Sequence, residues 1–198
     1  MKLFFACFIF VVFFATSAFG QIHAVTYQDL PEVTGGQIDE ALLKTVPLRF
    51  LPSSPLYFVI SIKESFSRFF KPSTIRKAEF DFVLSSKRLK EAYLLLEKND
   101  VKNSSIAVSK YGQRAQTVAS ELEKAKVQNQ DVATAAGTID SGLAYQLILI
   151  SAIEKKGGSE GNNYNFSDNF SAAVAGFSQI VGAVDQINPG VRDKYLPN

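Results

Sequence analysis

Tryptophan is absent from this 198-residue chain, and cysteine, histidine and methionine occur once each. One Cys and one His remove most metal sites and thiol chemistry, because such sites need several ligands held together. Cys7 lies inside an apolar N-terminal run, behind bulky residues and without a small-residue lipobox. Neither a disulfide nor a lipid anchor is therefore expected. His23 stands in the first residues after that run, so no His-based triad is expected. The formal net charge of +2 is too small to argue for nucleic acid.

Other chemistry is missing as well. Glu79 and Asp81 are two residues apart, as are Glu121 and Glu123. On a helix that spacing points the two side chains to different faces, and Glu79 and Asp81 are both read as solvent-facing. No run of carboxylates has calcium-loop spacing, and Gly35-Gly36 opens no phosphate loop. No catalytic residue, cofactor site or metal site is expected, and the chain is read as a non-enzyme. Strict apolar–polar alternation, the mark of a half-buried strand, is not found either.

What remains is 46% hydrophobic and 20% charged, enough for a packed core. Met1-Lys2 forms a short positive start, Leu3 to Phe19 is almost wholly apolar, and Ala18-Phe19-Gly20 puts small residues at −3 and −1 of a cut before Gln21. This is the pattern of a secretory signal peptide over residues 1–20, and a second cut after Ala24 also fits. The rival reading is an uncleaved anchor, for which about 17 apolar residues is at the short end. Asn103, Asn165 and Asn169 each open an Asn-x-Ser triplet, read as chance in a bacterial protein and as glycan acceptors in a eukaryotic one.

Periodicity then predicts helices. Residues 21–50 look irregular, with room for a short helix from Ile38 to Val46 before Pro47. Ser54-Pro55 predicts a helix start, with a stripe of Leu56, Val59, Ile60, Lys63, Phe66, Phe69 and Phe70 ending at Pro72. That Phe-rich stripe, with Phe80 and Phe82, is read as core.

A second helix, from Ser73 or Thr74 to Asn99-Asp100, repeats Ile75, Phe82, Leu89 and Leu96 every seven residues, with Ala78, Ser85 and Ala92 between. A third runs from Asn103 or Ser104 to the polar break at 128–131, and a fourth from Val132 to Gly157-Gly158. Residues 157–166 read as a flexible linker. A C-terminal helix follows from Ser167 to about Asn188, and its apolar face is expected either to dock on its own chain or to meet a partner. The expected fold is all-α: an up-down antiparallel bundle of four main helices over 51–156, plus the C-terminal helix and tail of 167–198.

Several of these residues form a familiar series. Leu51-Pro52-Ser53-Ser54-Pro55-Leu56-Tyr57-Phe58, Lys63-Glu64, Lys77-Ala78-Glu79 and Lys87-Arg88-Leu89-Lys90-Glu91-Ala92 occur in order. Over about residues 50–150 the chain resembles the secreted bacterial domain of unknown function 5667 family. Ser53 stands where Asp is usual, Phe80 and Phe82 add aromatic character, and the tail from Gly157 lies outside. The resemblance implies an exported helical domain, in some bacteria carried on the outer side of membrane proteins, and no established catalytic residue.

Charge is uneven. Residues 63–90 hold eight cations against Glu64, Glu79 and Asp81, whereas 131–198 hold four cations against seven carboxylates. Lys63, Arg68, Lys71, Arg76, Lys77, Lys87 and Arg88 are thus a candidate surface for an anionic envelope component or an acidic protein. The alternative is the ordinary solvated face of two helices. Two function classes stay open: an exported, extracytoplasmic interaction or structural module, and a signal-anchored sensory or regulatory ectodomain.

Overall fold

The computed structural model describes residues 30–157 and 165–196, and the signal segment, Gln21, His23 and most of the expected linker lie outside them. No strand occurs among the described residues. Helix α1 covers Gly35–Lys44 and α2 Tyr57–Phe69. Helices α3, Thr74–Leu96, and α4, Val101–Val127, follow, then α5, Ala133–Gly157. Helix α6 covers Phe166–Asp185 and the short α7 Val191–Tyr195.

Local chemistry sets the ends. Thr34 and Gln37 form a reciprocal capping box at the start of α1, which places that start three residues before the expected one. Ser73 caps α3 by accepting from the Arg76 amide, and Asp100 caps α4 by accepting from the Asn103 amide. Asn99 and Asn129 take left-handed φ values of 58° and 54°, the conformation in which Asn closes a helix at low cost. The first turn expected at Pro55 is instead a non-helical turn, and α2 begins at Tyr57 without a side-chain cap. Helix α7 is held by Asp185, whose Oδ1 accepts from the amides of Gly190 and Arg192 at 2.9 and 3.0 Å.

Helices α3, α4, α5 and α6 share one core. The α3 seam is buried as its spacing predicts: Ala78, Ser85 and Ala92 are fully buried, and Leu89 and Leu96 nearly so. Helix α4 runs antiparallel to α3. Near one end Ser104 Oγ donates to the Ala92 carbonyl at 3.0 Å, and near the other Thr74 Oγ1 donates to Gln128 Oε1 at 2.8 Å. Helix α5 runs in the same direction as α3, since Gln146 Nε2 donates to Ser85 Oγ and Lys156 pairs with Glu97 further along both helices. Tyr111 of α4 reaches across the centre to Gln146 Oε1 at 2.9 Å.

The C-terminal helix docks in cis. Helix α6 lies along α4 and buries Phe170, Val174, Phe177, Ile180, Val181 and Val184. Small residues let the two helices approach. A Cβ on Gly176 would stand 2.9 Å from the Ala115 methyl, and one on Gly112 3.1 Å from the Ala172 carbonyl oxygen. Helix α5 is long and apolar enough to cross a membrane by length and composition, yet 50% of its most apolar stretch is buried within the protein. Ile139, Leu143, Leu149, Ile150 and Ile153 are among its buried residues, the pattern of a core helix.

Helix α2, expected as one of the four main helices, touches the rest of the fold only lightly, chiefly through α3, with Arg68 also reaching Glu121 of α4. Its inward residues are polar, so the fourth place around the core is taken by α6, which has the longer apolar face.

Candidate functional site

Helix α2 is amphipathic with its polar side inward. Its two buried residues are Tyr57 and Glu64. Phe58, Val59, Ile62, Phe66, Phe69 and Phe70 are between 52% and 77% exposed. The reading of this Phe stripe as core is therefore corrected. An amphipathic pattern separates two faces without saying which one turns inward, and here the opposing helix presents charge.

That charge forms a network of two ion-pair clusters along α3. Glu64 of α2 accepts from Lys87 Nζ at 2.5 Å and from Arg88. Arg88 Nη1 also reaches Glu91 Oε2 at 2.5 Å, and Tyr57 donates its hydroxyl to the same oxygen at 2.9 Å. One turn and more along α2, Arg68 Nε lies 2.6 Å from Asp81 Oδ2 and pairs as well with Glu121 of α4. Arg114 of α4 takes the other oxygen of Asp81. Asp81 is fully buried, which corrects its expected solvent-facing position. The i, i+7 spacing of Asp81 and Arg88 puts both on one side of α3, a signal for a charged seam that was present in the sequence.

Two carboxylates in this network are strained electrostatically. Burial pushes Glu91 up to about 7 against the pull of Arg88 and Lys87. Burial also pushes Glu121 up to about 7, with nearby Asp81 raising it and Arg68 lowering it. Glu91 Oε1 and Glu121 Oε2 are buried with no hydrogen-bond partner, which leaves the charged form of each poorly compensated. Removing water from a charge is costly, and pairing compensates only in part.

The seven cations of the predicted basic surface are dispersed. Lys87 and Arg88 are buried in the network, and Arg68 bridges Asp81 and Glu121. Arg76 pairs with Glu79 at 2.8 Å, Lys71 lies over the Phe80 ring at 4.9 Å, and half-buried Lys77 acts electrostatically on Glu121. Lys63 is exposed on α2. The structure thus does not bring these cations together as one open patch.

It brings together apolar surface instead. A groove of about 470 Å³ runs between the 46–50 segment, α2 and α3. Val46, Phe50, Leu56, Val59, Phe80 and Val83 line it, with Glu64 and Lys87 also reaching it. Among the described residues no group of three or more His, Cys, Asp or Glu could hold a metal ion.

No curated protein and no solved structure matches the chain. A family model matches a segment that contains α2, α3, α4 and the start of α5, and with them every residue of the charge network. The match spans residues 49–139 and its description is Domain of unknown function (DUF5667), so the resemblance carried by Leu51–Phe58, Lys63-Glu64 and Lys87–Ala92 is to that family.

Proposed function

We propose that the chain is an exported, non-enzymatic protein of a bacterial envelope or extracellular space, and that α2 is its contact surface. In this reading α3, α4, α5 and α6 are a helical bundle that serves as scaffold, and the charge network fastens α2 to it by the polar side. The observation that carries the proposal is the outward apolar face of α2. Exposed apolar area of this extent, continuous with a groove, marks an interaction site in most proteins. The partner is an anionic envelope component or a protein.

The export part rests on Met1-Lys2, the apolar run Leu3–Phe19 and the small residues before Gln21. The same apolar run favours a second reading, a signal-anchored sensory or regulatory ectodomain. Intact mass of the native protein separates the two: a chain starting near Gln21 supports export with cleavage, and a full-length chain in the membrane fraction supports the anchor. The contact surface is tested by Phe66→Ser/Phe69→Ser in the native host. The variant should leave the envelope fraction to which the parent protein binds, and unchanged retention would overturn α2 as the contact surface.

A further inference from the structure

The segment that carries the outward face of α2 exposes charge of one sign. Residues 46–73 contain Arg49, Lys63, Arg68 and Lys71, and Glu64 as their sole carboxylate. Glu64 is buried against Lys87 and Arg88. The segment therefore exposes cations and no carboxylate: Arg49 and Lys63 are exposed, and Lys71 is half-buried at the C-terminal end of the face.

The face also lacks directional polar groups. Its hydroxyl residue, Ser65, donates to the carbonyl of Ser61 at 3.0 Å, and the helical amides are used within the helix. A protein partner is held in register by hydrogen bonds, about one per 100–200 Å² of interface. A lipid surface needs none. On a helical wheel Phe58, Ile62, Phe66 and Phe69 fall within one sector, with Glu64 and Tyr57 on the opposite side, and Lys63 sits near its margin. An apolar sector with cations at its margins is the arrangement of a helix lying in the headgroup plane.

Resting on the contact-surface reading above, we infer that the partner of α2 is an anionic phospholipid surface. Phe58, Ile62, Phe66 and Phe69 enter the acyl boundary while Lys63, Lys71 and Arg49 meet the phosphates. The buried ion pairs keep the helix from rolling its apolar side back onto the protein. The scaffold then stands off the membrane on the α3 side of α2.

The absence of Trp from the chain makes a direct test available. Phe66→Trp puts a single indole on the face, and Val127→Trp puts one on an exposed residue at the end of α4 as control. Each full-length variant is mixed with phosphatidylglycerol vesicles or with phosphatidylcholine vesicles. On phosphatidylglycerol the indole at position 66 should shift to the blue and be quenched by lipids brominated on the acyl chain, and the indole at position 127 should not. Using position 66 as the reporter keeps the result independent of any tethering by the apolar N-terminal run. Adding Lys63→Glu/Lys71→Glu should weaken the response by about tenfold or more, since each basic residue contributes on its own to attraction by anionic lipid. An indole at 66 that stays in water on phosphatidylglycerol overturns the inference, and an equal response to phosphatidylcholine overturns its anionic part. If position 66 stays dry of lipid while Phe66→Ser/Phe69→Ser still releases the protein from the envelope, the contact surface stands and its partner is a protein. If the indole at position 66 stays in water and Phe66→Ser/Phe69→Ser leaves envelope retention unchanged, both readings fall.

Discussion

Arg68 and Asp81 join α2 to α3 with Nε 2.6 Å from Oδ2, and Asp81, fully buried, carries Arg114 on its other oxygen. One buried carboxylate thus holds two helices to α3. Asp81→Ala leaves both guanidinium groups without their shared counter-charge. It should lower stability by about 2–4 kcal/mol, the cost of removing one partner of a buried pair. Amide exchange read by mass spectrometry should quicken first in α2, whose packing is slight. Glu79→Ala, which breaks only the exposed pair with Arg76, should cost less than about 1 kcal/mol.

Stability should fall as pH rises through neutrality. Glu91 and Glu121 are each raised by burial from the ordinary 4.5 to about 7 in the folded protein. Between those values the folded state holds more protons than the unfolded one. Unfolding therefore becomes easier with increasing pH, and the effect levels off above about pH 8. The loss should be on the order of 2 kcal/mol for Glu91 and smaller for Glu121, whose charge is better screened by solvent, and urea melts between about pH 5 and pH 8 measure it. Glu121→Gln keeps an acceptor for Arg68 and should flatten the slope. A slope that Glu91→Gln and Glu121→Gln both leave intact would show that other groups cause it.

The contrast between α3 and α2 shows what the sequence could disclose. The heptad of Ile75, Phe82, Leu89 and Leu96 identifies the buried side of α3 because large and small residues alternate along one seam, and burial there follows the pattern from Ala78 onward, with Ile75 partly buried. The same periodicity in α2 marks a stripe equally well but leaves its direction open. That direction depends on Glu64 and Arg68 meeting Lys87, Arg88 and Asp81 across a helix pair, a tertiary relation that no local spacing contains. Two of the seven candidate surface cations turn inward for the same reason. Lys87 and Arg88 count as charge in the sequence but are neutralised within the fold by Glu64 and Glu91. Helix α7 escaped notice because five residues after Pro189-Gly190 give no periodicity to read.

Close approach of α4 and α6 should be sensitive to single methyl groups. Gly176→Val would drive its side chain into Ala115 and the Gly112 carbonyl, and should cost about 1–3 kcal/mol as overpacking. Gly137 of α5 has open space where a Cβ would lie. Gly137→Ala should raise stability by about 0.5–1 kcal/mol through helix propensity alone. Thermal melts of the two variants should move in opposite directions.

Truncation after Gly157 removes α6 and uncovers the α4 surface that Phe170, Phe177 and Val181 bury. The shortened protein should lose its cooperative melt or self-associate, as seen by calorimetry and sedimentation. A truncated monomer as stable as the parent would contradict the place of α6 in the core.

The outward orientation of α2 is tested most directly by chemical unfolding of Phe66→Ser/Phe69→Ser beside Phe177→Ala. Phe66 and Phe69 are 63% and 77% exposed, and Phe177 is 2% exposed. The double variant should keep parental stability within about 1 kcal/mol, while Phe177→Ala should lose about 3–5 kcal/mol. A loss in the double variant as large as that of Phe177→Ala would place the α2 phenylalanines in the core and contradict the account.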